Sequence, residues 1–284
     1  MKLKEASKAA EECDRREHPV RPSALQDSGK SAIIDILNGT IIIDDAALIR
    51  RSEDECEPGT ADFYYRLALD NLTAGRIGNA ILDLRKAVEL RPDFSEAYQE
   101  LGLLLKSVGQ YSEAVHQYRE LVRLRPDDAE AHFMLGTVYD MLDRRSDAIK
   151  EYVEAIKIMP EYVEAYFCTG VDLESLGKID EAIWIYARAV KFSPEYTEVY
   201  VRMGNLLLGK GAVDEAVLAF KNGIRTAPQD EQSHYGLGLA YYKQGRLFDA
   251  LRAFNETLRL KPEHEGAIKK QQAAMDAISR ALMK

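Results

Sequence analysis

Proline recurs at Pro92, Pro126, Pro160, Pro194, Pro228 and Pro262, each 34 residues after the last. Alanine keeps the same interval at Ala80, Ala114, Ala148, Ala182, Ala216 and Ala250, and a third ladder of small residues runs through Ala68, Gly102, Gly136, Gly170, Gly204 and Gly238. Three columns in phase across six blocks, from Ala61 to His264, mean one supersecondary unit repeated without insertion. Such units cannot bury their apolar surface alone and must stack on their neighbours.

The block from Val163 to Tyr196 shows what one unit is. Tyr166, Thr169, Gly170 and Leu173 fall at i, i+3, i+4 and i+7, the stripe of a first helix. Gly177 supplies a left-handed residue that ends it. Asp180 and Glu181 put negative charge at the start of a second helix, where the dipole favours it. Ala182, Ile183, Tyr186 and Ala189 form the buried stripe of that helix. Pro194 ends it, because proline disfavours helical geometry in the residue before it. A glycine inside a helix costs about 1 kcal/mol relative to alanine, so the five in one column imply a packing demand.

This pattern closely resembles the tetratricopeptide repeat family, in six copies at 61–94, 95–128, 129–162, 163–196, 197–230 and 231–264. The departures are few. The fourth position, commonly tryptophan in the family, is Tyr64, Tyr98, His132, Tyr166, Tyr200 and His234, and the turn glycine of the third copy is replaced by Asp143. Position eleven of the first copy is Asn71. The resemblance implies an all-α fold, a right-handed superhelical α-solenoid of helix-turn-helix repeats whose first helices line a concave groove.

Flanking segments differ from the repeats. Residues 1–30 are charged, contain Pro19 and Pro22, and read as disordered. Residues 31–59 include the apolar run SAIIDILNGTIIIDDAALIRR, which demands burial; Asn38-Gly39 between β-branched residues signals a hairpin, whereas the following DDAALIRRSEDE reads as a helix. We expect this segment to pack as an N-terminal cap or degenerate repeat, with dimerisation or folding back into the groove as the functional alternatives. Residues 265–284 carry apolar positions at Ala267, Ile268, Met275, Ile278 and Leu282 without the repeat columns, and read as a C-terminal capping helix.

Composition narrows the function. A net charge of −9 argues against nucleic acid and against an anionic membrane surface. No apolar run approaches the roughly 20 residues of a membrane-spanning helix, so no membrane insertion is expected. Cys13, Cys56 and Cys168 form no metal spacing and no even disulfide set, which points to a reducing cytoplasm. Catalytic readings fail in turn. Gly29-Lys30-Ser31 lacks the earlier glycine of a phosphate loop, since Ala24 stands there. The five histidines form no metal cluster, and Cys168 has no basic neighbour in sequence to activate it. No enzyme and no cofactor emerge.

A protein-binding surface does. Numbering each block from one, positions 2, 5, 9 and 12 form a face of the first helix apart from the packing stripe at 4, 7, 8 and 11. In the resembled family that face lines the groove. Here position 5 carries Tyr65, Gln99, Phe133, Phe167, Val201 and Tyr235, and position 9 carries Leu69, Leu103, Thr137, Val171, Asn205 and Leu239. Position 2 adds an acidic rim of Asp62, Glu96, Glu130, Glu164 and Glu198. The expected partner is a protein or peptide with apolar anchors and basic residues. The alternative is self-assembly into a homo-oligomer through the N-terminal segment. The Lys/Asn/Arg clamp with which some members of the family hold chaperone C-termini is not matched by any three consecutive copies.

Overall fold

A computed structural model of the chain describes residues 34–35, 40–41 and 57–283. Ile34–Asp35 (β1) and Thr40–Ile41 (β2) form a short antiparallel ladder pairing Ile34 with Ile41 and Asp35 with Thr40. These strands flank Asn38-Gly39, as the hairpin signal proposes. The rest of segment 31–59 lies, up to Cys56, outside the described residues, as do residues 1–30, and with them the cap and disorder expectations.

From Ala61 to Met283 the described residues form helices joined by short connections. The protein is an all-α helical-repeat solenoid, with two compact units at residues 1–160 and 161–284. In the first unit the helices are α1 (Ala61–Thr73), α2 (Ile77–Leu90), α3 (Ser95–Ser107), α4 (Tyr111–Leu124), α5 (Ala129–Met141) and α6 (Arg145–Ile158). They pack as the pairs α1–α2, α3–α4 and α5–α6, with α2 against α3 and α4 against α5. The second unit holds α7 (Val163–Ser175), α8 (Ile179–Phe192), α9 (Thr197–Lys210), α10 (Val213–Thr226), α11 (Glu231–Lys243), α12 (Leu247–Leu260) and α13 (Glu265–Leu282). It stacks in the same manner, and α13 closes on α12 and α11.

Each first helix ends in a left-handed residue: Gly75, Gly109, Asp143, Gly177, Gly211 and Gly245, with φ between 56° and 83°. At α7 the Lys178 amide donates to the Leu173 carbonyl at 2.8 Å and the Gly177 amide to that of Glu174 at 2.9 Å. Two orphan carbonyls are thereby satisfied, and the chain reverses into α8. Asp143 performs the same turn without the achiral residue.

The small-residue column has a single cause. A Cβ placed on Gly102 would sit 2.8 Å from the Tyr118 ring; on Gly136, 2.5 Å from Tyr152; on Gly204, 2.7 Å from Phe220; on Gly238, 2.5 Å from Phe254; Gly170 is overlain by Tyr186 in the same way. Those rings are all at position 24 of their blocks and all fully buried. In the first pair the position-24 residue is Leu84, and there position 8 is Ala68. Glycine is thus used where an aromatic ring lies across the first helix, and alanine where a leucine does.

Two sequence features find local explanations. Asn71 is buried at position 11 because it is networked: its amide donates to Asp83 at 2.7 Å and its oxygen accepts from Arg76 Nε at 2.7 Å. In α13 the buried residues are Ala267 and Ala274, whereas Ile268, Met275 and Leu282 are exposed. The apolar stripe expected there is therefore carried by small residues, which let α13 lie close to α12. The His264 ring caps this helix, accepting from the Ala267 amide at 3.1 Å.

Candidate protein-binding surface

In the first unit α1, α3 and α5 carry positions 2, 5 and 9 of three blocks. Tyr65, Leu69, Gln99, Leu103 and Phe133 are half-buried, and Thr137 is buried with its hydroxyl donating to the Met134 carbonyl at 2.7 Å. The aromatic rings at position 5 do not stand free. Tyr65 packs on Phe94 at 4.9 Å between centroids, and Phe133 on Tyr152 at 5.4 Å. Each leans toward its own second helix or the turn that follows, leaving one edge on the first-helix face.

In the second unit Phe167, Val171 and Val201 are buried, Tyr235 and Leu239 are half-buried, and Asn205 is exposed. Phe167, only 2% exposed, lies 5.2 Å from the Tyr196 ring, and the Arg202 guanidinium is 5.3 Å from its centroid. Tyr235 sits 4.4 Å from the His264 ring and 6.0 Å from Phe254. The aromatic content of position 5 is therefore mostly spent on packing in this unit. Alternation alone cannot show this, because the receiving rings at positions 24 and 34 come from elsewhere in the block. Cys168, next to Phe167, is buried.

The acidic rim is partly neutralised from within. Arg91, in the turn after α2, binds Asp62 and holds its carboxyl below the usual range, chiefly through the hydrogen bond. Arg125, after α4, binds Glu96. In the second unit Arg202 bridges Glu198 at 3.2 Å and Glu174 at 3.1 Å. Glu130 and Glu164 have no ion-pair partner among the described residues, and burial raises the Glu130 carboxyl. The repeated Arg-Pro at 91–92 and 125–126 is the sequence signal of the first two bridges.

A residue that pattern reading passed over lies on the same face of α3. Glu100, at position 6, is 4% exposed, and its buried Oε2 has no hydrogen-bond partner among the described residues. Burial alone pushes its carboxyl up to about 7. It is close enough to Tyr65 to help raise that hydroxyl, whose own burial is the larger cause. A desolvated carboxyl without a donor is costly unless protonated or given a cation. Its signal is a lone acid in a column otherwise filled by Arg66, Met134, Cys168, Arg202 and Gly236.

Models of the tetratricopeptide repeat match residues 61–94, 84–116 and 201–265, and a TPR repeat model matches 105–143. The chain belongs to the tetratricopeptide repeat family. Solved structures of tetratricopeptide proteins align along much of it. The MamA protein is 28% identical over 60% of this chain and 92% of its own, with a TM-score of 0.56. YrrB, described as a TPR protein with an unusual peptide-binding site, is 23% identical over 66% of this chain and 97% of its own, at 0.58. PilF of Pseudomonas aeruginosa, at 19% identity, 75% and 97% coverage and a TM-score of 0.56, shares the fold. Comparison with curated proteins gives no match. Among the described residues of this tetratricopeptide protein, no helix is long and apolar enough to cross a membrane, and no three His, Cys, Asp or Glu residues cluster as metal ligands.

Proposed function

We propose that this tetratricopeptide protein is a non-catalytic adaptor or scaffold that holds a partner peptide or helix against the first-helix face, the concave groove of its family. The observation that carries this reading is Glu100: a buried carboxyl whose Oε2 has no partner among the described residues, on α3 between the half-buried Gln99 and Leu103 and within electrostatic reach of Tyr65. A basic side chain of the partner would supply the missing donor, while apolar anchors cover Leu69, Leu103 and Phe133. Glu130, without an internal arginine, extends the same preference. Charge of this kind contributes orientation and specificity, and apolar burial at about 25 cal/mol per Å² contributes most of the affinity. YrrB, a structural neighbour described as having a peptide-binding site, supports the class of function.

The test is a crosslinking pull-down from cell extract with the wild-type chain, Glu100→Gln, Leu103→Asp, and Leu218→Asp as a control on the exposed surface of α10. Groove binding predicts that the first two variants lose captured proteins that wild type and control retain. Identical recovery by folded Glu100→Gln and Leu103→Asp chains would overturn the assignment.

A further inference from the structure

A cavity of about 370 Å³ opens between α10, α11 and α12 of the second unit, on the side of the packing stripe rather than the groove face. Ile224, Leu237 and Ala253 give it an apolar floor; Lys221, His234 and Arg252 are among its polar lining. Position 4 of α11, His234, lines it. In α3, α7 and α9 that position is Tyr98, Tyr166 or Tyr200, and each of those rings is buried.

The first unit contains the same histidine with its site filled. His132, also at position 4, puts Nε2 3.2 Å from the Pro126 carbonyl and Nδ1 2.8 Å from the Glu151 carboxylate. His234 reproduces half of this, with Nε2 3.0 Å from the Pro228 carbonyl. Pro228 and Pro126 occupy the same block position, as do Ala253 and Glu151. Where Glu151 supplies a carboxylate, Ala253 supplies only a methyl group. His234 Nδ1 accordingly has no hydrogen-bond partner among the described residues.

The surrounding charges favour an anion. Asp249 pairs with Arg246, the N-cap of α12, at 2.7 Å, and Glu256 pairs with Arg259 at 2.6 Å, so each cavity carboxylate already has an arginine partner, and Glu256 also lies within electrostatic reach of His234. Lys221 and Arg252 have no carboxylate partner among the described residues; Lys221 Nζ stands 5.9 Å from the Tyr241 centroid. The titratable groups facing His234 are thus Lys221 from α10, Tyr241 from its own helix, and Asp249, Arg252 and Glu256 from α12.

We propose that this cavity is a second binding site, for an acidic side chain of a partner protein. Its carboxylate takes the place at His234 Nδ1 that Glu151 takes at His132, flanked by Lys221 and Arg252, with its stem on Ile224, Leu237 and Ala253. A carbonyl only accepts, so Nε2 keeps its proton and Nδ1 can donate only when the ring is an imidazolium. Binding of a carboxylate at Nδ1 therefore engages the doubly protonated ring. The site is independent of the groove assignment.

The test uses the full chain and two capped dipeptides, leucyl-glutamate and leucyl-glutamine, with NMR of the His234 ring as the readout. The glutamate peptide is expected to shift the His234 resonances and to bind about tenfold tighter than its amide counterpart, as a charge-assisted bond implies. Ala253→Glu, which restores the arrangement at His132, should abolish binding. Should that variant not fold, Lys221→Gln with Arg252→Gln, both at exposed positions, should weaken binding about tenfold. Equal binding of the two dipeptides, no response of His234, or full binding by a folded Ala253→Glu chain or by the double glutamine variant would overturn the proposal.

Discussion

Replacing Gly238 by alanine tests the packing rule on which the second unit is built. The new Cβ would lie 2.5 Å from Phe254 Cε1, against about 3.5–4.0 Å for relaxed carbon contacts. Phe254 is fully buried, so the ring cannot swing into solvent and must push back by roughly an ångström. Overpacking of this kind costs about 1–3 kcal/mol, while alanine returns about 1 kcal/mol of helix propensity. The expected net loss is up to about 2 kcal/mol. Phe254→Leu alone leaves a void and also destabilises. The double variant recreates the Ala68–Leu84 combination of the first pair and should cost less than the two single losses together, by about 1–3 kcal/mol of coupling. Urea unfolding followed by circular dichroism measures the four corners. Amide exchange along α11 and α12 localises the effect, because repeat arrays need not unfold in one step. A Gly238→Ala chain at least as stable as wild type, or strictly additive substitutions, would refute the reasoning.

Glu100 makes stability depend on pH in a defined direction. With its folded pKa raised to about 7 from an ordinary 4.5, the folded state holds a proton that the unfolded chain releases between those values. Stability is therefore full below about pH 4.5 and falls as pH rises toward 7, by at most about 3 kcal/mol. Glu100→Gln should flatten that slope in urea midpoints taken at pH 5 and pH 8, and an unchanged slope would rule Glu100 out as its source. Asp143→Gly, at φ 56°, should gain up to about 1 kcal/mol in thermal unfolding. A left-handed aspartate is strained, and the exposed bond of its carboxylate to Arg145 contributes little.

The periodic part of this fold was legible because packing writes itself into columns. Ala182, Gly170 and Tyr166 each stand where close helix approach or a filled interior requires them, and the interval of 34 residues sets the helix order. What the columns could not reveal are the contacts made across positions. Phe167 has the pattern of a surface ring, yet Tyr196 and Arg202 enclose it from other parts of its block and the next. Asp62 and Glu96 read as a free acidic row until Arg91 and Arg125 are seen to close on them. Glu100 was invisible for the opposite reason: a single acid in a variable column carries no periodic signal, and its character comes from burial. His234 sat in a packing column, and only the comparison of its environment with that of His132 separates the two.

The glycine–ring pairing also constrains how such a chain can change over time. A duplicated block holds either glycine with an aromatic or alanine with leucine at the two facing positions, and both arrangements fill the interior. Any single substitution between them passes through an intermediate that either collides or leaves a hole. Descendant copies therefore face a barrier at two codons simultaneously. Drift that is free elsewhere in the block would leave these positions moving only as a couple.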